Sequence, residues 1–484
     1  MLDPAVHAQL ATILPPSALL TSPEETKPYE CDGLTMYREL PAAVAIPENE
    51  TQIAAILARC QAARVPVVAR GAGTSLSGGA LPDKRGVLLS LAKLKRVISI
   101  DPLARTAIVQ PGVRNLAISE AAAPYGLYYA PDPSSQIACS IGGNVAENAG
   151  GVHCLKYGLT VHNVRRVRGV LITGEIVEFG SDALDSAGYD LLALVTGSEG
   201  LLAVTTEITV KLTPKPPVAQ VALAAFDDVA TAGAAVAAVI ASGIVPAGLE
   251  MMDRKATRAV EEFVHAGYPL DAAAVLLVET DGIADEVAAD MAELTRVLRE
   301  SGATSIRVSK DERERMLLWS GRKAAFPAVG RLSPDYYCMD GTIPRRAIAG
   351  VLGRIEELSD KYGLRCANVF HAGDGNLHPL ILYDANVADE MHRAEAFGAA
   401  ICELCIDVGG TITGEHGVGI EKLPQMCVQF PPAELERFLA VKAAFDPHSL
   451  LNPGKGVPTL SRCAEFGKMH VHHGKLAHPE LPRF

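Results

Sequence analysis

The sequence predicts an α+β protein of more than one domain, and three observations support this. The chain has 484 residues, which is too long for a single hydrophobic core. Short β-branched runs alternate with helical patterns as far as residue 213. A strand–helix–strand rhythm then repeats between residues 218 and 417, which is typical of antiparallel sheets covered by helices. We therefore expect one domain over 1–217, a second over 218–417, and a helical segment over 418–484 that packs back onto the first.

The individual runs predict the strands and helices of these domains. In the first domain the strand patterns end in a proline-rich boundary at residues 212–217, "LTPKPP". In the second domain "ADEVAADMAELTRVLRES" (284–301) is a charged helix. The predicted strands are "VPVVA" (65–69), "GVLLSL" (86–91), "TAIVQPG" (106–112), "GVLITG" (169–174), "TEITV" (206–210), "VAQVALAAF" (218–226), "IVPAGLEMM" (244–252) and "AAAVLLVET" (272–280).

Composition excludes several classes of protein. The chain is 49% hydrophobic and 21% charged, which is ordinary for a folded protein. Its net charge of -12 argues against a nucleic-acid surface, which needs clustered Lys and Arg. The N-terminal "MLDPAVHAQL" has no basic region before an apolar core, so a signal peptide is not expected.

Two further patterns favour simple interpretations. Residues 229–249 are uncharged over 21 residues, about the length of a membrane span. Alanine dominates the stretch and Ser242, Gly243 and Pro246 interrupt it, so we predict a helix followed by a strand. The ten cysteines are scattered, which fits a reducing compartment. Cys402 and Cys405 form a C-x-x-C without a second pair nearby, so no iron–sulfur cluster is predicted.

Glycine-rich turns are the densest signal in the first domain. "ARGAGTSLSGG" (69–79) follows a predicted strand, but Leu76 stands where a dinucleotide fingerprint needs glycine, and no Gly-Lys-Ser/Thr completes a P-loop. The run still allows backbone N–H groups to approach an anion, with Arg70 nearby. Further turns follow in "PDPSSQIACSIGGNVAENAGGVHCLKYG" (131–158) and "TGSEGLLAVTTEITV" (196–210). Several such turns could line an extended dinucleotide, whereas one alone could be a structural turn.

The second domain contains an unusual pair of histidines. "NVFHAGDGNLHPLILYD" (368–384) places His371 and His378 in a glycine-containing turn between two apolar runs. "TITGEHGVGIEK" (411–422) adds Glu415 and His416 between glycines. Two imidazoles and one carboxylate suit Zn²⁺ or Mn²⁺ with open positions for a substrate. Spacing alone leaves this metal site and a structural role for the histidines both open.

Six motifs in one order make the chain recognisable. It resembles the FAD-linked oxidoreductases of the vanillyl-alcohol oxidase type, within them the glycolate oxidase flavin subunits and D-lactate dehydrogenases, over residues 41–456. The resemblance implies a two-part FAD-binding domain, an antiparallel α+β cap domain that binds substrate, and a helical C-terminal segment. The motifs are "RGAGTSLSGG", "PSSQIACSIGGNVAENAGG", "TGSEGLLAVTTEITVKLTP", "HAGDGNLHP", "GEHGVGIEK" and "LLNPGKG".

The resemblance also assigns the cofactor-binding residues. It implies a pyrophosphate loop, a cofactor wall, contacts on the adenosine side and one residue near the flavin ring. Because the first glycine loop has no histidine for covalent attachment, non-covalent FAD is expected, with Cys139 and His153 as the alternative attachment points. In that order the residues are Arg70, Gly71, Ala72, Gly73, Thr74 and Ser75; Pro131, Asp132, Ser135, Gly142, Gly143, Asn144 and Asn148; Glu199, Gly200 and Ile208; and Asn452.

For the reaction, the resemblance implies oxidation of a 2-hydroxy acid by hydride transfer to flavin. It makes His371, His378 and Glu415 the ligands of a divalent metal, Zn or Mn. His416 is then the base, and Arg322 binds the substrate carboxylate.

The chain departs from relatives that act on longer dicarboxylates. These carry a threonine at the position of Phe326, a lysine near Cys338 and an asparagine near Leu380. Apolar or weakly polar groups at all three positions favour a small monocarboxylate, glycolate or D-lactate, over 2-hydroxyglutarate.

The resemblance further implies companion flavin and iron–sulfur subunits that take the electrons onward, with quinone as the other acceptor. It implies a cytoplasmic location, with peripheral attachment to the inner face of the cell membrane through those partners. Three alternatives remain: a D-2-hydroxyglutarate dehydrogenase, a flavin-dependent transferase on the same fold, and a metallohydrolase that uses the His/His/Glu residues alone.

Overall fold

The structure is a computed structural model, and it describes residues 2–183, 188–459, 471–472 and 475–476. The strands are β1 Leu19–Leu20, β2 Ala43–Ala45, β3 Val67–Arg70, β4 Val87–Ser90, β5 Val97–Asp101, β6 Thr106–Val109, β7 Leu127–Tyr128, β8 Val164–Val170, β9 Ile176–Gly180, β10 Val204–Lys211, β11 Thr213–Pro214, β12 Val218–Phe226, β13 Gly248–Asp253, β14 Ala274–Gly282, β15 Ser305–Val308, β16 Asp335–Cys338, β17 Cys366–Phe370, β18 Pro379–Tyr383, β19 Val471–His472 and β20 Lys475–Leu476.

The helices show the same alternation with strands that the sequence predicted. They are α1 Pro4–Ala11, α2 Pro23–Thr26, α3 Glu50–Ala62, α4 Asn115–Ala122, α5 Ile141–Glu147, α6 Cys154–Tyr157, α7 Thr160–Asn163, α8 Leu191–Val195, α9 Val229–Ala241, α10 Arg254–Val264, α11 Ala284–Glu300, α12 Glu312–Lys323, α13 Ala325–Val329, α14 Ile348–Tyr362, α15 Glu390–Asp407, α16 Leu423–Gln429 and α17 Pro432–Phe445.

Internal contacts divide the chain into two compact units. Unit 1 comprises residues 1–150, 159–214 and 415–484, and unit 2 comprises 151–158 and 215–414. These boundaries fall slightly before the expected 217 and 417. Two assignments differ from those expected from the sequence. The short segment 151–158 belongs to unit 2, and Glu415 and His416 belong to unit 1 and not to the cap.

Unit 1 contains two main sheets, each with its own hydrophobic core. One has the order β1-β2-β4-β3, with parallel β2, β4 and β3, and the other is the antiparallel β5-β6-β10-β8-β9. Buried Val67 and Leu89 lie in the first core, and Ile208 and Val210 lie in the second. The predicted two-part arrangement of the cofactor domain is confirmed.

The C-terminal segment joins the first of these cores. Val67 N–H donates to the carbonyl of Leu450 at 2.8 Å, and both Leu450 and Leu451 are buried in that core. On α17, the buried Lys442 ammonium donates to the carbonyls of Leu201 and Leu451 and to Asp446. Because a buried ammonium is stable only with such partners, these contacts fix the end of α17 within unit 1.

Unit 2 is built on one antiparallel sheet with the order β15-β12-β14-β13-β17-β18-β16. Three of its helices begin at aspartate caps, which satisfy unpaired backbone N–H groups. Asp228 accepts from Thr231 N at the start of α9, Asp253 from Ala256 N at α10, and Asp311 from Glu314 N at α12. The predicted antiparallel cap with covering helices is confirmed.

The uncharged stretch at 229–249 forms α9 and the beginning of β13, as predicted. Among the residues that the structure describes, no helix is both long and apolar enough to cross a membrane. Cys402 and Cys405 are both buried on α15.

Candidate active site

The glycine-rich segments of the first domain meet within unit 1. A Cβ added to Gly71 would lie 2.2 Å from Ser140 Oγ, and Ala72 N–H donates to that same oxygen at 3.3 Å. A Cβ on Gly142 would lie 2.5 Å from that of Pro111. A side chain at Gly71 would therefore separate the loop after β3 from the start of α5, and one at Gly142 would separate α5 from the segment after β6. This close approach fits an elongated cofactor that contacts both segments.

Unit 1 also holds every other residue predicted to bind FAD. Arg70 donates to the Cys31 carbonyl at 2.6 Å, and its guanidinium lies 5.8 Å from the ring centre of Tyr29. Asn144 is buried and accepts from Asn115 Nδ2 at 2.9 Å. Asn148 adopts a left-handed conformation and ends α5. These contacts order the loops, and the assigned roles of the individual side chains stay predictions.

The residues expected on the adenosine side and at the flavin ring have structural partners. The Glu199 carboxylate accepts from Val418 N and Gly419 N, both at 2.7 Å, and burial raises its pKa. Ile208 lies in the core of the five-stranded sheet. Asn452 Nδ2 donates to the carbonyls of Gly79 and Glu199. Asn452 thereby links the first glycine loop to the Gly197–Gly200 turn.

Residues 415–417 of the Gly-Glu-His-Gly turn belong to unit 1. Glu415 Oε2 accepts from Gly150 N at 2.9 Å, so this carboxylate lies at the second glycine turn. A Cβ on Gly417, which has a φ of +83°, would lie 2.1 Å from Glu147 Oε2. Lys422 Nζ donates to the Gly417 carbonyl at 2.9 Å. Burial, followed by the charge of Glu199, raises the pKa of Glu147 well above its usual value.

The two predicted histidine ligands of unit 2 lie side by side. His371 follows β17 and His378 precedes β18, and their ring centres are 5.1 Å apart with the planes at 85°. Both rings are buried. His371 Nδ1 lies 2.7 Å from Glu250 Oε1, and His378 Nδ1 lies 3.3 Å from the Met339 carbonyl oxygen. Both partners can accept a hydrogen bond, so each contact suits the tautomer that has its proton on Nδ1.

Arg322 is buried near the same histidine. It lies on α12, and its Nε and Nη2 lie 2.7 and 2.6 Å from Glu250 Oε2. Its side chain is 1% exposed and that of Glu250 is 0% exposed. Nη1 has no hydrogen-bond partner among the residues that the structure describes. One buried carboxylate therefore contacts both Arg322 and His371 while leaving the far side of the guanidinium for another acceptor.

Sequence reasoning missed Glu250 and Asp340. Glu250 is an isolated acid within the apolar run of β13, and that isolation was the available signal. Asp340 carries a carboxylate oxygen within 4.8 Å of a ring nitrogen of His378. It also accepts from Gly414 N at 3.0 Å. No spacing in the sequence associates Asp340 with His378.

The possible covalent attachment points lie in different surroundings. Cys139 is buried in unit 1 beside the Asn144 amide, and burial raises the pKa of its thiol. His153 belongs to unit 2, where Nε2 lies 3.2 Å from Glu279 Oε1. A raised thiol pKa disfavours the reactive thiolate, and non-covalent FAD stays a prediction.

Two parts of the chain match models of known protein families. Residues 41–180 match an FAD binding domain, and residues 215–456 match the C-terminal domain of FAD linked oxidases. The chain belongs to the FAD-linked oxidases. This confirms the resemblance read from the six motifs, and it identifies the chain as an FAD-dependent oxidoreductase.

Individual proteins agree with this assignment. This FAD-linked oxidase is 64% identical to the glycolate oxidase subunit GlcD of Escherichia coli K12 over 97% of this chain and 94% of that protein. It is 31% identical to a D-lactate dehydrogenase of Anaerostipes hadrus over 91% and 94%. Its fold matches the crystal structure of p-cresol methylhydroxylase with substrate bound, with a TM-score of 0.80 at 17% identity, over 94% of this chain and 97% of that one.

Proposed function

We propose that this FAD-linked oxidase converts glycolate to glyoxylate, with D-lactate as the next best substrate. The observation that carries the proposal is the buried Arg322, whose Nη1 has no partner among the described residues. Burying a guanidinium without satisfying its donors costs free energy, so the arrangement suits a ligand that brings an acceptor. A carboxylate is the natural partner, because it matches the fork of a guanidinium. The high identity to a glycolate oxidase subunit supports glycolate among the small hydroxy acids.

We further propose that His371, His378 and Glu415 hold a divalent cation, Zn²⁺ or Mn²⁺. The hydrogen bonds at both Nδ1 atoms support this, because metal-binding histidines commonly donate their other ring N–H to an acceptor. When bound, the cation would polarise the substrate hydroxyl and lower its pKa. Asp340, near His378, is a further acidic group that could balance the charge of a cation.

Two further residues bind the substrate and take up its proton. Arg322 binds the carboxylate and so fixes the orientation of the α-carbon. His416 accepts the hydroxyl proton, for which a neutral imidazole is suited near neutral pH. FAD held by the cofactor-binding residues of unit 1 would supply the acceptor for the α-carbon hydride, and loss of this hydride and of the hydroxyl proton would give the 2-oxo acid. Atoms and charge balance, since the proton goes to His416 and the electron pair leaves with the hydride.

The surroundings of His378 support a small substrate. The ring centre of Phe326 lies 6.3 Å from that of His378. Cys338 pairs with Leu380 across β16 and β18, and its Sγ lies within 4.8 Å of a His378 ring nitrogen. Cys338 and Leu380 are buried in the core of unit 2 and Phe326 packs against it. These groups offer a second substrate carboxylate no cationic partner, which disfavours 2-hydroxyglutarate.

A substrate panel with an artificial electron acceptor tests this specificity. We expect kcat/KM for glycolate to exceed that for D-2-hydroxyglutarate by about 10²-fold or more, because the longer acid would bury an unpaired carboxylate. D-lactate should fall between them. A preference for D-2-hydroxyglutarate would overturn the small-acid proposal and favour the dicarboxylate dehydrogenase.

We also propose that electrons pass to companion subunits. The relative from E. coli is named as a subunit of glycolate oxidase, and the sequence has no cysteine spacing suited to an iron–sulfur cluster of its own. The isolated chain should therefore reduce dyes but reduce quinone slowly. Fast quinone reduction by the isolated chain would contradict this.

A further inference from the structure

Glu250 is the buried group that joins two parts of the candidate site in unit 2. Its Oε1 lies 2.7 Å from His371 Nδ1, and its Oε2 lies 2.7 Å from Arg322 Nε. The three residues come from different elements: β13, the end of β17 and α12. A single carboxylate thus uses one oxygen for an imidazole and the other for a guanidinium.

We propose that Glu250 is a positioning residue that sets the orientation of both the carboxylate-binding Arg322 and the ligand His371. This inference rests on the proposed function, which gives those two residues their roles. Neither role is then independent of the other, because both side chains are fixed by the same carboxylate.

The geometry explains what each contact does. On Arg322, Glu250 occupies the Nε side of the guanidinium, so a substrate carboxylate must approach from the Nη1 side. On His371, the bond to Nδ1 directs the Nε2 lone pair away from Glu250. Glu250 also balances the buried charge of Arg322, whose side chain is 1% exposed.

A second buried glutamate provides a matched control. Glu279 lies on the neighbouring strand β14, where it pairs with Gly248, two residues before Glu250. Its Oε2 binds Arg315 Nη1 at 2.7 Å and also the indole N–H of Trp319, both on α12. Glu279 therefore supports the same helix as Glu250, but it contacts Arg315, Trp319 and His153 instead of Arg322 and His371.

The experiment compares three variants of the FAD-loaded protein: Glu250→Gln, Glu250→Asp and Glu279→Gln. Metal retention is measured under graded chelator without substrate, and kcat and KM are measured with glycolate. For Glu250→Gln we expect about 10- to 100-fold weaker metal binding and a KM raised by about 10-fold or more. An uncharged amide can accept from only one of the two partners with its single oxygen.

Glu250→Asp keeps the charge and so guards against a simple failure to fold. Because its side chain is one methylene shorter, it cannot maintain both contacts, and either metal retention or KM should change by about 5-fold or more. Glu279→Gln should lower the melting temperature but leave metal retention and KM within about 2-fold.

Two results would overturn the inference. One is Glu250→Asp with both readouts within about 2-fold of wild type. The other is Glu279→Gln with changes as large as those of Glu250→Gln, because Glu250 would then act only by supporting α12. The proposed function is checked separately with Arg322→Lys. An unchanged KM in that variant would refute the carboxylate site itself, whereas a raised KM with silent Glu250 variants would refute only the inference.

Discussion

The substitution His416→Asn is expected to slow flavin reduction by glycolate by about 10²–10⁴-fold, the usual contribution of a positioned base. Asparagine preserves the size of the side chain and some hydrogen bonding but cannot accept the hydroxyl proton. FAD content, metal content and glycolate binding should largely survive, since Glu415 keeps its contact with Gly150. The loss should therefore fall on kcat rather than on binding, and anaerobic stopped-flow reduction measures it directly.

A matched substitution of another histidine in unit 1 controls for the loss of an imidazole. His7 is exposed on α1, and His7→Asn should reduce flavin at the wild-type rate. If His416→Asn also stays within a few-fold of wild type, the base lies elsewhere, and His371 becomes the next candidate.

The substitution His378→Ala is expected to remove the metal and nearly all activity while FAD stays bound. The FAD-binding residues predicted from the sequence lie in unit 1, whereas His378 lies in unit 2, so the flavin spectrum should persist. Loss of one ligand from the proposed three-ligand site would also remove the cation that would polarise the substrate hydroxyl. Metal analysis after dialysis, the visible spectrum and dye reduction report the three properties separately.

The control for this variant is His392→Ala. His392 is exposed on α15 in the same unit and contacts Glu395, so its removal should leave metal and activity unchanged. Wild-type turnover by a metal-free His378→Ala protein would show that His371, His378 and Glu415 have only a structural role.

Local patterns predicted much of this fold because each signal lay within a short stretch of chain. The runs on either side of the His371–His378 turn form β17 and β18, and the uncharged stretch after Asp228 forms α9. Two matches to known families then confirmed the class that the ordered motifs indicated.

The placement of segment 151–158 could not be predicted from local pattern. It follows directly on a glycine turn of unit 1, yet it belongs to unit 2. Lys156 Nζ and the Tyr157 hydroxyl both bind Asp281, at 2.6 Å each, and His153 contacts Glu279. These partners are more than a hundred residues away in sequence, so no periodicity or turn signal reveals them.

The same reasoning explains what was missed in the candidate site. His371 and His378 were singled out by their spacing, and the family resemblance gave roles to them and to Arg322. Glu250 lies in no motif, and its importance depends on contacts with residues 322 and 371 that only the folded sheet brings together. Its burial at an interior strand position, where a charge is costly without partners, is the physical sign that it is paired.

The most direct measurement of the central claim is anaerobic titration of the purified yellow protein with glycolate, monitored through the visible absorption of the flavin. Oxidation of a 2-hydroxy acid by hydride transfer predicts that glycolate bleaches the flavin without any added acceptor, and that glyoxylate forms in proportion to the flavin reduced. A protein that contains both FAD and metal but keeps its full absorption with glycolate and with D-lactate would contradict the account.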